Sequence, residues 1–344
     1  MSSREYTVVI QPHGRSVPAS RNRTVLDAAL DAGLNLPHSC KSGHCGSCRA
    51  RLLSGQIHYP NGPPLGLTEE ETRAGYVLMC QMLPCSDLKL EARLIASVAD
   101  VEIKTLPCRI GKLVRLAPDV MQLFLKLPSV EALQFQAGQY LDILLDDGRR
   151  RSFSIASPPH DSDMIELHVR RVAGGGFSDQ LFTTLGVGTL LRIEGPVGQF
   201  VYREGHGPML MIAGGTGFAP IKSMLRHMLE RGVKRDIHFY WGARTVADIY
   251  EEALALEWAR RYPRLKFTAV LSEPGETPGP HRRVGWVHET VLEDHPSLEA
   301  FDIYFAGPPA LVEAIRTTYP ARGAKRLYFD SFDYAPPATL TLPT

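Results

Sequence analysis

Alternating apolar and polar positions predict a strand at 6–10 and a second near Ser16, after a Pro-His-Gly turn. Thr24 then opens a helix, with Asp27 three positions on in capping-box-like spacing. Val25, Leu26, Ala29 and Leu30 form its apolar face, and Gly33 ends it. A strand resumes at 49–53, Thr68 with Glu71 marks another short helix, 76–79 leads into Cys80, and 88–93 closes this segment. The order suits a small mixed sheet holding one helix, with a loop at its edge. Short runs at 109–116, 120–127, 139–145, 152–156, 165–171 and 190–193 follow, broken by Pro, Gly and Asp turns and one helix around 178–185. Strands at that spacing predict an antiparallel barrel. From 207 the period changes. Buried-type strands at 209–213, 237–241, 267–271 and 303–305 alternate with helices at 221–230, near 247–260 and at 309–318. Apolar positions 221, 224, 225, 228 and 229 follow the i, i+3, i+4, i+7, i+8 pattern of one helix face. This alternation predicts an open parallel sheet covered by helices on both faces. The expected class is therefore multidomain, α+β and α/β, with domains at 1–96, 105–204 and 207–333 and a linker at 96–106.

Composition narrows the function without naming it. A chain of 344 residues leaves room for two or three domains at about 100–200 residues each. Basic and acidic residues balance, 38 against 37, so no electrostatic footprint argues for nucleic acid. No apolar run approaches the ~18 residues that would predict a membrane span, and no apolar signal core precedes the first strand. The six cysteines do not suggest a disulfide framework in a chain of this length, and a reducing compartment, the cytoplasm, is expected.

Four of those cysteines change the picture. Cys40, Cys45 and Cys48 are spaced C-x₄-C-x₂-C, and Cys80 follows after a long gap. This is the ligand spacing of a plant-type [2Fe–2S] centre, which two irons bridged by sulfide require and which makes a one-electron carrier. The small residues between the first three let backbone N–H groups approach the sulfides. A structural Zn²⁺ held by four thiolates is the competing reading, although zinc sites favour paired C-x₂-C knuckles. Cys85 and Cys108 read as buried packing residues.

Two glycine turns and one arginine motif carry the rest. Arg151-Ser152-Phe153-Ser154 follows Gly138-Gln139-Tyr140, and Gly174-Gly175-Gly176-Phe177-Ser178 opens the helix of the barrel segment. Gly214-Gly215-Thr216-Gly217-Phe218-Ala219-Pro220 lies between a buried strand and a helix, a dinucleotide-type phosphate turn. Trp241-Gly242-Ala243-Arg244 and Ala306-Gly307-Pro308 end two further buried strands. With the cysteines upstream, these motifs resemble the ferredoxin–NADP⁺ reductase superfamily, whose flavin motif is R-x-Y-S, over nearly the whole chain.

The resemblance implies a plant-type ferredoxin β-grasp, an antiparallel flavin-binding β-barrel and a parallel-sheet nucleotide-binding domain. It implies that Arg151 pairs with the flavin pyrophosphate, for which a guanidinium fork is suited. It also implies that Ser154 lies at the reactive flavin edge and that Ser152, Phe153, His168, Arg170, Gly175, Gly176, Phe177 and Ser178 line the flavin. Gly214, Gly215, Thr216, Gly217, Pro220, Arg244, Ala306, Gly307 and Pro308 fall to the nicotinamide dinucleotide, and Phe332 to the aromatic cover of the flavin ring. Phe153 replaces the family's tyrosine and Ala306 its cysteine, so neither a hydroxyl nor a thiol is available at those positions. The implied cofactors are a [2Fe–2S] cluster on Cys40, Cys45, Cys48 and Cys80, FAD, and NADH, with NADPH as the alternative. Arg244 alone stands where a 2′-phosphate would call for clustered cations.

The implied activity is an NAD(P)H-dependent iron–sulfur flavoprotein oxidoreductase that takes two electrons from NADH and delivers them singly to a partner protein. The partner would be an oxygenase or hydroxylase component, as for reductases of aromatic-ring oxygenases. A pyridoxamine-dependent (PMP-dependent) sugar dehydrase is the other candidate, as for reductases of the CDP-6-deoxy-glucoseen type. No nucleic acid and no membrane partner is expected. Two other readings remain at this point: a zinc-containing nucleotide-binding sensor or scaffold, and a direct quinone or oxygen reductase.

Overall fold

In a computed structural model the chain divides into two compact units, residues 1–101 and 102–344. The structure describes residues 5–34, 36–38, 41, 43, 46, 48–92, 103–128, 133–161, 163–172, 174, 176–275 and 282–332.

The first unit contains β1 (Glu5–Gln11), β2 (Arg15–Ser20), α1 (Val25–Asp31), β3 (Arg49–Ser54), β4 (Ile57–His58), α2 (Glu69–Arg73), β5 (Tyr76–Leu78), β6 (Leu83–Pro84) and β7 (Leu88–Glu91). Its main sheet has the order β2-β1-β7-β3-β5, with β1 and β7 parallel and the other pairs antiparallel. Helix α1 begins where expected because the Thr24 hydroxyl accepts the Asp27 amide at 3.2 Å. Its buried face, Val25, Leu26, Ala28 and Ala29, joins Val8, Ile10 and Leu90 in one core. Thr68 and Glu71 form the full capping box of α2.

The second unit opens with a barrel: β8 (Lys104–Ala117), β9 (Val120–Lys126), β10 (Tyr140–Leu144), β11 (Arg150–Ser154), β12 (Ile165–Arg170), α3 (Phe177–Thr183) and β13 (Leu190–Val197). The strands are antiparallel in the order β11-β10-β13-β8-β9-β12, and a bridge from Ile155 to Leu167 joins the two ends. Strand β8 takes in the last residues of the expected linker, since its apolar positions are barrel core. The rest of that linker lies mostly outside the described residues.

A parallel sheet completes the unit: β14 (Met209–Gly214), α4 (Phe218–Glu230), β15 (Ile237–Ala243), α5 (Glu252–Arg261), β16 (Leu265–Leu271), β17 (Arg282–Val284), α6 (Val287–Asp294), β18 (Asp302–Gly307), α7 (Pro309–Thr318) and β19 (Arg326–Ser331). The order β17-β16-β15-β14-β18-β19 puts a switch point between β14 and β18, from which the chain proceeds in opposite directions. Crevices of this kind at carboxyl strand ends are where such sheets bind ligands. Apolar layers pack on both faces. Sequence patterning misses β17, α6 and β19. Strand β17 is only Arg-Arg-Val, and α6 starts at Trp286 without a side-chain cap. The helix expected near 247–260 starts at Glu252, because Asp248 caps a separate 3₁₀ turn by accepting the Thr245 amide.

Candidate functional site

In the first unit, strand register brings two of the four cysteines together. Arg49 of β3 pairs with Leu78 of β5, so Cys48, just before β3, and Cys80, just after β5, lie at the same end of the pair. The Met79 amide donates to the Cys48 carbonyl at 3.1 Å, and both thiols are buried. Cys40 and Cys45 lie outside the described residues. The Gln81 amide clasps the loop by donating to the carbonyls of Lys41 (2.8 Å) and Cys80 (3.1 Å). Gly43 donates a second clasp, its carbonyl accepting the Gly66 amide at 2.7 Å. Tyr59, which no sequence signal marks, accepts the Leu78 amide at 2.9 Å. Burial pushes its hydroxyl up to about 12, with the charges of Cys48 and Cys80 adding, so a neutral phenol stands near both sulfurs. Buried thiols converging beside a neutral hydroxyl fit a soft metal cluster.

In the second unit a cavity of about 450 Å³ runs along the carboxyl ends of the parallel strands. Gly214, Gly215, Thr216, Arg244, Arg170, Pro308 and Phe332 line it, so the structure brings these predicted residues into one site. Gly217, Pro220, Ala306 and Gly307 do not line it. Gly217, Ala306 and Gly307 instead let the strand ends approach: a Cβ on Gly217 would lie 2.0 Å from the Ala306 carbonyl oxygen, and one on Gly307 would meet the Gly214 backbone at 3.0 Å. Gly215 adopts φ +52°, the left-handed region that favours glycine. Its carbonyl accepts the buried Trp241 indole N–H at 3.0 Å, a prop that sequence reasoning missed. The turn then runs into the thirteen-residue α4, whose first residue, Phe218, donates its amide back to the Gly215 and Thr216 carbonyls. Ser272, Trp286 and Val287 also line the cavity and carry no motif that would have found them.

Arg170 reaches this cavity from the barrel. Its guanidinium donates to Asp119 of the barrel at 2.9 Å and lies 3.4 Å from Asp248 of the nucleotide domain. A Cβ on Gly215 would be 3.7 Å from its Nη2. Arg170, expected on the flavin, thus faces the phosphate turn.

Barrel strand β11 carries the flavin motif. Phe153 packs at a tilt against Phe177, with ring centroids 5.7 Å apart, and the Ser152 hydroxyl donates to Asp142 at 2.5 Å. The Arg151 guanidinium donates to the Arg150 carbonyl at 2.8 Å. The Ser178 hydroxyl closes the glycine turn by accepting the Val172 amide at 3.1 Å, and Gly176 holds φ +63°. Gly175 lies outside the described residues. The Ser154 hydroxyl donates to the buried Asp330 carboxylate at 3.3 Å, which ties β11 to β19. Next to it the buried Ser331 hydroxyl has no hydrogen-bond partner, and the Phe332 amide donates to the Gly307 carbonyl at 2.8 Å. An orphaned buried hydroxyl between Ser154's partner and a cavity-lining aromatic fits a site that a polar ring completes. Asp330 and Ser331 carry no sequence motif that marks them, and the strand that places them, β19, is not predicted by the patterning.

His168 lies on β12 of the barrel, facing the parallel-sheet domain. Its ring is buried in an ionic network, 2.9 Å from Glu166 and 3.0 Å from the Tyr250 hydroxyl, and does not line the cavity. Lys222 of α4 donates to Glu166 and to both Glu251 oxygens, each at 2.7 Å. Burial alone would raise the Glu166 carboxyl; the His168 hydrogen bond and the charges of His168 and Lys222 outweigh it and hold it well below the usual range. Glu166, His168 and Glu251 are close enough to share a cation, and the Lys222 ammonium already serves as one. The network joins barrel to nucleotide domain.

Comparison with known proteins agrees with this geometry. The chain matches the 2Fe-2S iron-sulfur cluster binding domain at 8–85, the oxidoreductase FAD-binding domain at 107–202 and the oxidoreductase NAD-binding domain at 211–317. It is 37% identical over 329 residues to the CDP-6-deoxy-L-threo-D-glycero-4-hexulose-3-dehydrase reductase of Yersinia pestis, covering 96% of this chain and 98% of that one. It is 36% identical to reductase component 1 of the terephthalate 1,2-dioxygenase of Comamonas sp, covering 93% and 95%. Among solved structures, the Amycolatopsis cytochrome P450 reductase GcoB superposes with a TM-score of 0.79 at 33% identity, covering 95% of this chain and 98% of that one.

Proposed function

The chain belongs to the three-domain iron–sulfur flavoprotein reductases of the ferredoxin–NADP⁺ reductase superfamily, and on that premise we propose a role for each part of its site. It is an NADH-dependent oxidoreductase that uses FAD and a [2Fe–2S] cluster to pass electrons to a partner protein. Bound flavin supplies the conversion from a two-electron donor to a one-electron carrier.

Cys40, Cys45, Cys48 and Cys80 hold the cluster within a domain at 1–96. Arg151 takes the flavin pyrophosphate within a barrel domain at 105–204, assisted by the turn at Gly176–Ser178, while Ser152 and Phe153 shape the wall. Ser154 orients the flavin edge, with Asp330 fixing its hydroxyl. In the domain at 207–333, Gly215, Thr216 and the start of α4 receive the NADH pyrophosphate, and Arg170 neutralises it. Phe332 walls the nicotinamide end, excludes water there and yields as the nicotinamide stacks. The protein's contribution is alignment and exclusion of solvent.

The observation that carries this reading is the junction of Ser154 and Asp330 with Phe332, where the barrel's flavin strand meets the dinucleotide cavity. Its test is an anaerobic NADH titration of the holoprotein followed by visible absorption and low-temperature EPR. Flavin bleaching followed by the signal of a reduced cluster is expected; bleaching without that signal rejects the relay. A kcat/KM favouring NADPH would reject the NADH preference alone.

The acceptor is a separate protein, proposed as an oxygenase component or a CDP-sugar dehydrase, the two classes that relatives at 36% and 37% identity serve. Stopped-flow mixing of the reduced protein with a purified member of each class separates them by rate. Among the described residues no helix is long and apolar enough to cross a membrane, and the cytoplasm is the proposed location.

A further inference from the structure

The cavity that takes the dinucleotide phosphates is assembled from two halves. Gly214, Gly215 and Thr216 belong to the parallel sheet, while Arg170 reaches in from barrel strand β12. The other end is split in the same way, with Ser154 on the barrel and Asp330 and Phe332 on the sheet side. The spacing between barrel and sheet therefore enters the geometry of hydride transfer.

Residues two apart on a strand share a face. Glu166, His168 and Arg170 of β12 all turn towards the sheet domain and meet it in order, at Lys222, Tyr250 and Asp248. The outer two contacts are ion pairs made by long side chains. The middle one is built from rings. Tyr250 packs edge-on against Trp241, with centroids 5.0 Å apart and planes at 89°, and against Phe218 at 6.1 Å and 70°. Trp241 stacks on Phe218 at 3.9 Å and holds the Gly215 carbonyl through its indole N–H. The Tyr250 ring thus bears on the two residues that fix the phosphate turn. Its hydroxyl leaves the sheet domain and meets His168 Nδ1 at 3.0 Å.

The direction of that bond follows from the other imidazole nitrogen. Nε2 lies 2.9 Å from the Glu166 carboxylate, an acceptor only, so Nε2 carries the hydrogen. In the neutral ring Nδ1 is then the acceptor and the Tyr250 hydroxyl donates. Burial keeps that hydroxyl protonated, pushing it well above the usual tyrosine range. Glu166 is held in turn by Lys222 at 2.7 Å and by the Gln122 amide at 2.6 Å. A continuous run of stiff groups results: the Gly215 carbonyl, the Trp241 indole, the Tyr250 ring and the His168 imidazole, ending on β12 two positions short of Arg170.

We infer that Tyr250 is a positioning residue for hydride transfer, its hydroxyl tying the phosphate turn to β12 and so setting the nicotinamide against the flavin. Tyr250 does not line the cavity. It acts through Gly215 on one side and Arg170 on the other. Transfer between two rings is sensitive to their separation and tilt, so a small displacement costs rate before it costs binding.

The inference rests on the NADH reading, and its test separates the two. Tyr250→Phe in the full holoprotein removes one oxygen and keeps the ring on Trp241. In anaerobic stopped-flow mixing with NADH, the limiting rate of flavin reduction should fall on the order of tenfold, as small misplacements of reacting atoms do. The transient charge-transfer absorbance of nicotinamide against flavin should fall with it, while the Kd for NADH and the Tm stay close to wild type. His168→Phe should give the same loss, and the double variant no further loss. A lower Tm with an unchanged limiting rate and charge-transfer band overturns the assignment, and so do additive losses in the double variant. A wild type that NADH does not reduce removes the activity and this role with it. A wild type reduced no faster than Tyr250→Phe removes the role alone.

Discussion

The cysteine loop of the first unit and the dinucleotide cavity of the second hold their cofactors by opposite means. On the proposed reading, the first unit uses side-chain atoms, the thiols of Cys40, Cys45, Cys48 and Cys80, whose identity cannot be exchanged. The cavity uses mostly backbone: a glycine turn ahead of α4 and a cradle of close chain contacts around Gly214, Gly217 and Gly307. A site made of side chains fails at once when an atom is changed. A site made of backbone fails by degrees, through packing, and it draws on the folding energy of the whole sheet. The first is therefore discrete in sequence and local in structure, and the second is diffuse in both.

The sharpest way to break that comparison is Cys80→Ser. Cluster iron should be lost and NADH-driven reduction of the partner should fall to background, while reduction of ferricyanide from the flavin persists. Iron analysis with parallel assays checks it, and loss of both activities would show that the two sites are not separable.

Lys222→Met comes next. It leaves Glu166 and Glu251 buried without their cation and should destabilise the second unit by about 3–5 kcal/mol, a fall of roughly 10 °C in Tm. Calorimetry reads it directly. The cavity predicts a graded pair below that. Gly217→Ala, whose Cβ would strike the Ala306 carbonyl, should cost ~2–3 kcal/mol of stability. Gly215→Ala should cost about 1–2 kcal/mol from its left-handed backbone alone, with a few-fold rise in the KM for NADH. Equal effects on stability at the two positions would contradict a cradle built by close contacts.

The smallest effect lies away from either site. Burial pushes His238 down to about 4, with the neighbouring His295 adding and Asp294 opposing. An unfolded histidine binds its proton near 6.5, above the folded value, so the unfolded state takes up more protons on acidification. The stability associated with His238 is kept above pH 6.5 and lost progressively towards pH 4. His238→Gln should flatten the dependence of Tm on pH across that window.

Legibility followed the same division. The cysteine spacing named the cluster before any fold was known, because ligand geometry forces residue identity. Thr24 and Thr68 marked their helices because a cap is a local hydrogen bond. Gly217, Ala306 and Gly307 were also marked, but sequence could not divide the residues that touch a ligand from those that only let two strands approach. Arg170 and His168 illustrate the limit. They lie two positions apart on one strand and so face the same side, yet one guanidinium reaches the phosphate turn while the imidazole is drawn into a network with Lys222's partners. The difference is set by Lys222, Asp248 and Tyr250, all more than fifty residues away in sequence. Trp286, Ser272 and Asp330 carry no local pattern, since strand order alone brings them to the cavity.

The ion network at Lys222 also limits how this protein can be rebuilt. Grafting a foreign coenzyme domain after β13 would part Lys222 and Glu251 from Glu166, Asp248 from Arg170, and Asp330 from Ser154. A chimaera must therefore carry matched residues on both sides of the seam, or it will bring buried charges together with no counterpart. In this architecture the flavin and coenzyme modules are exchanged intact only as one piece.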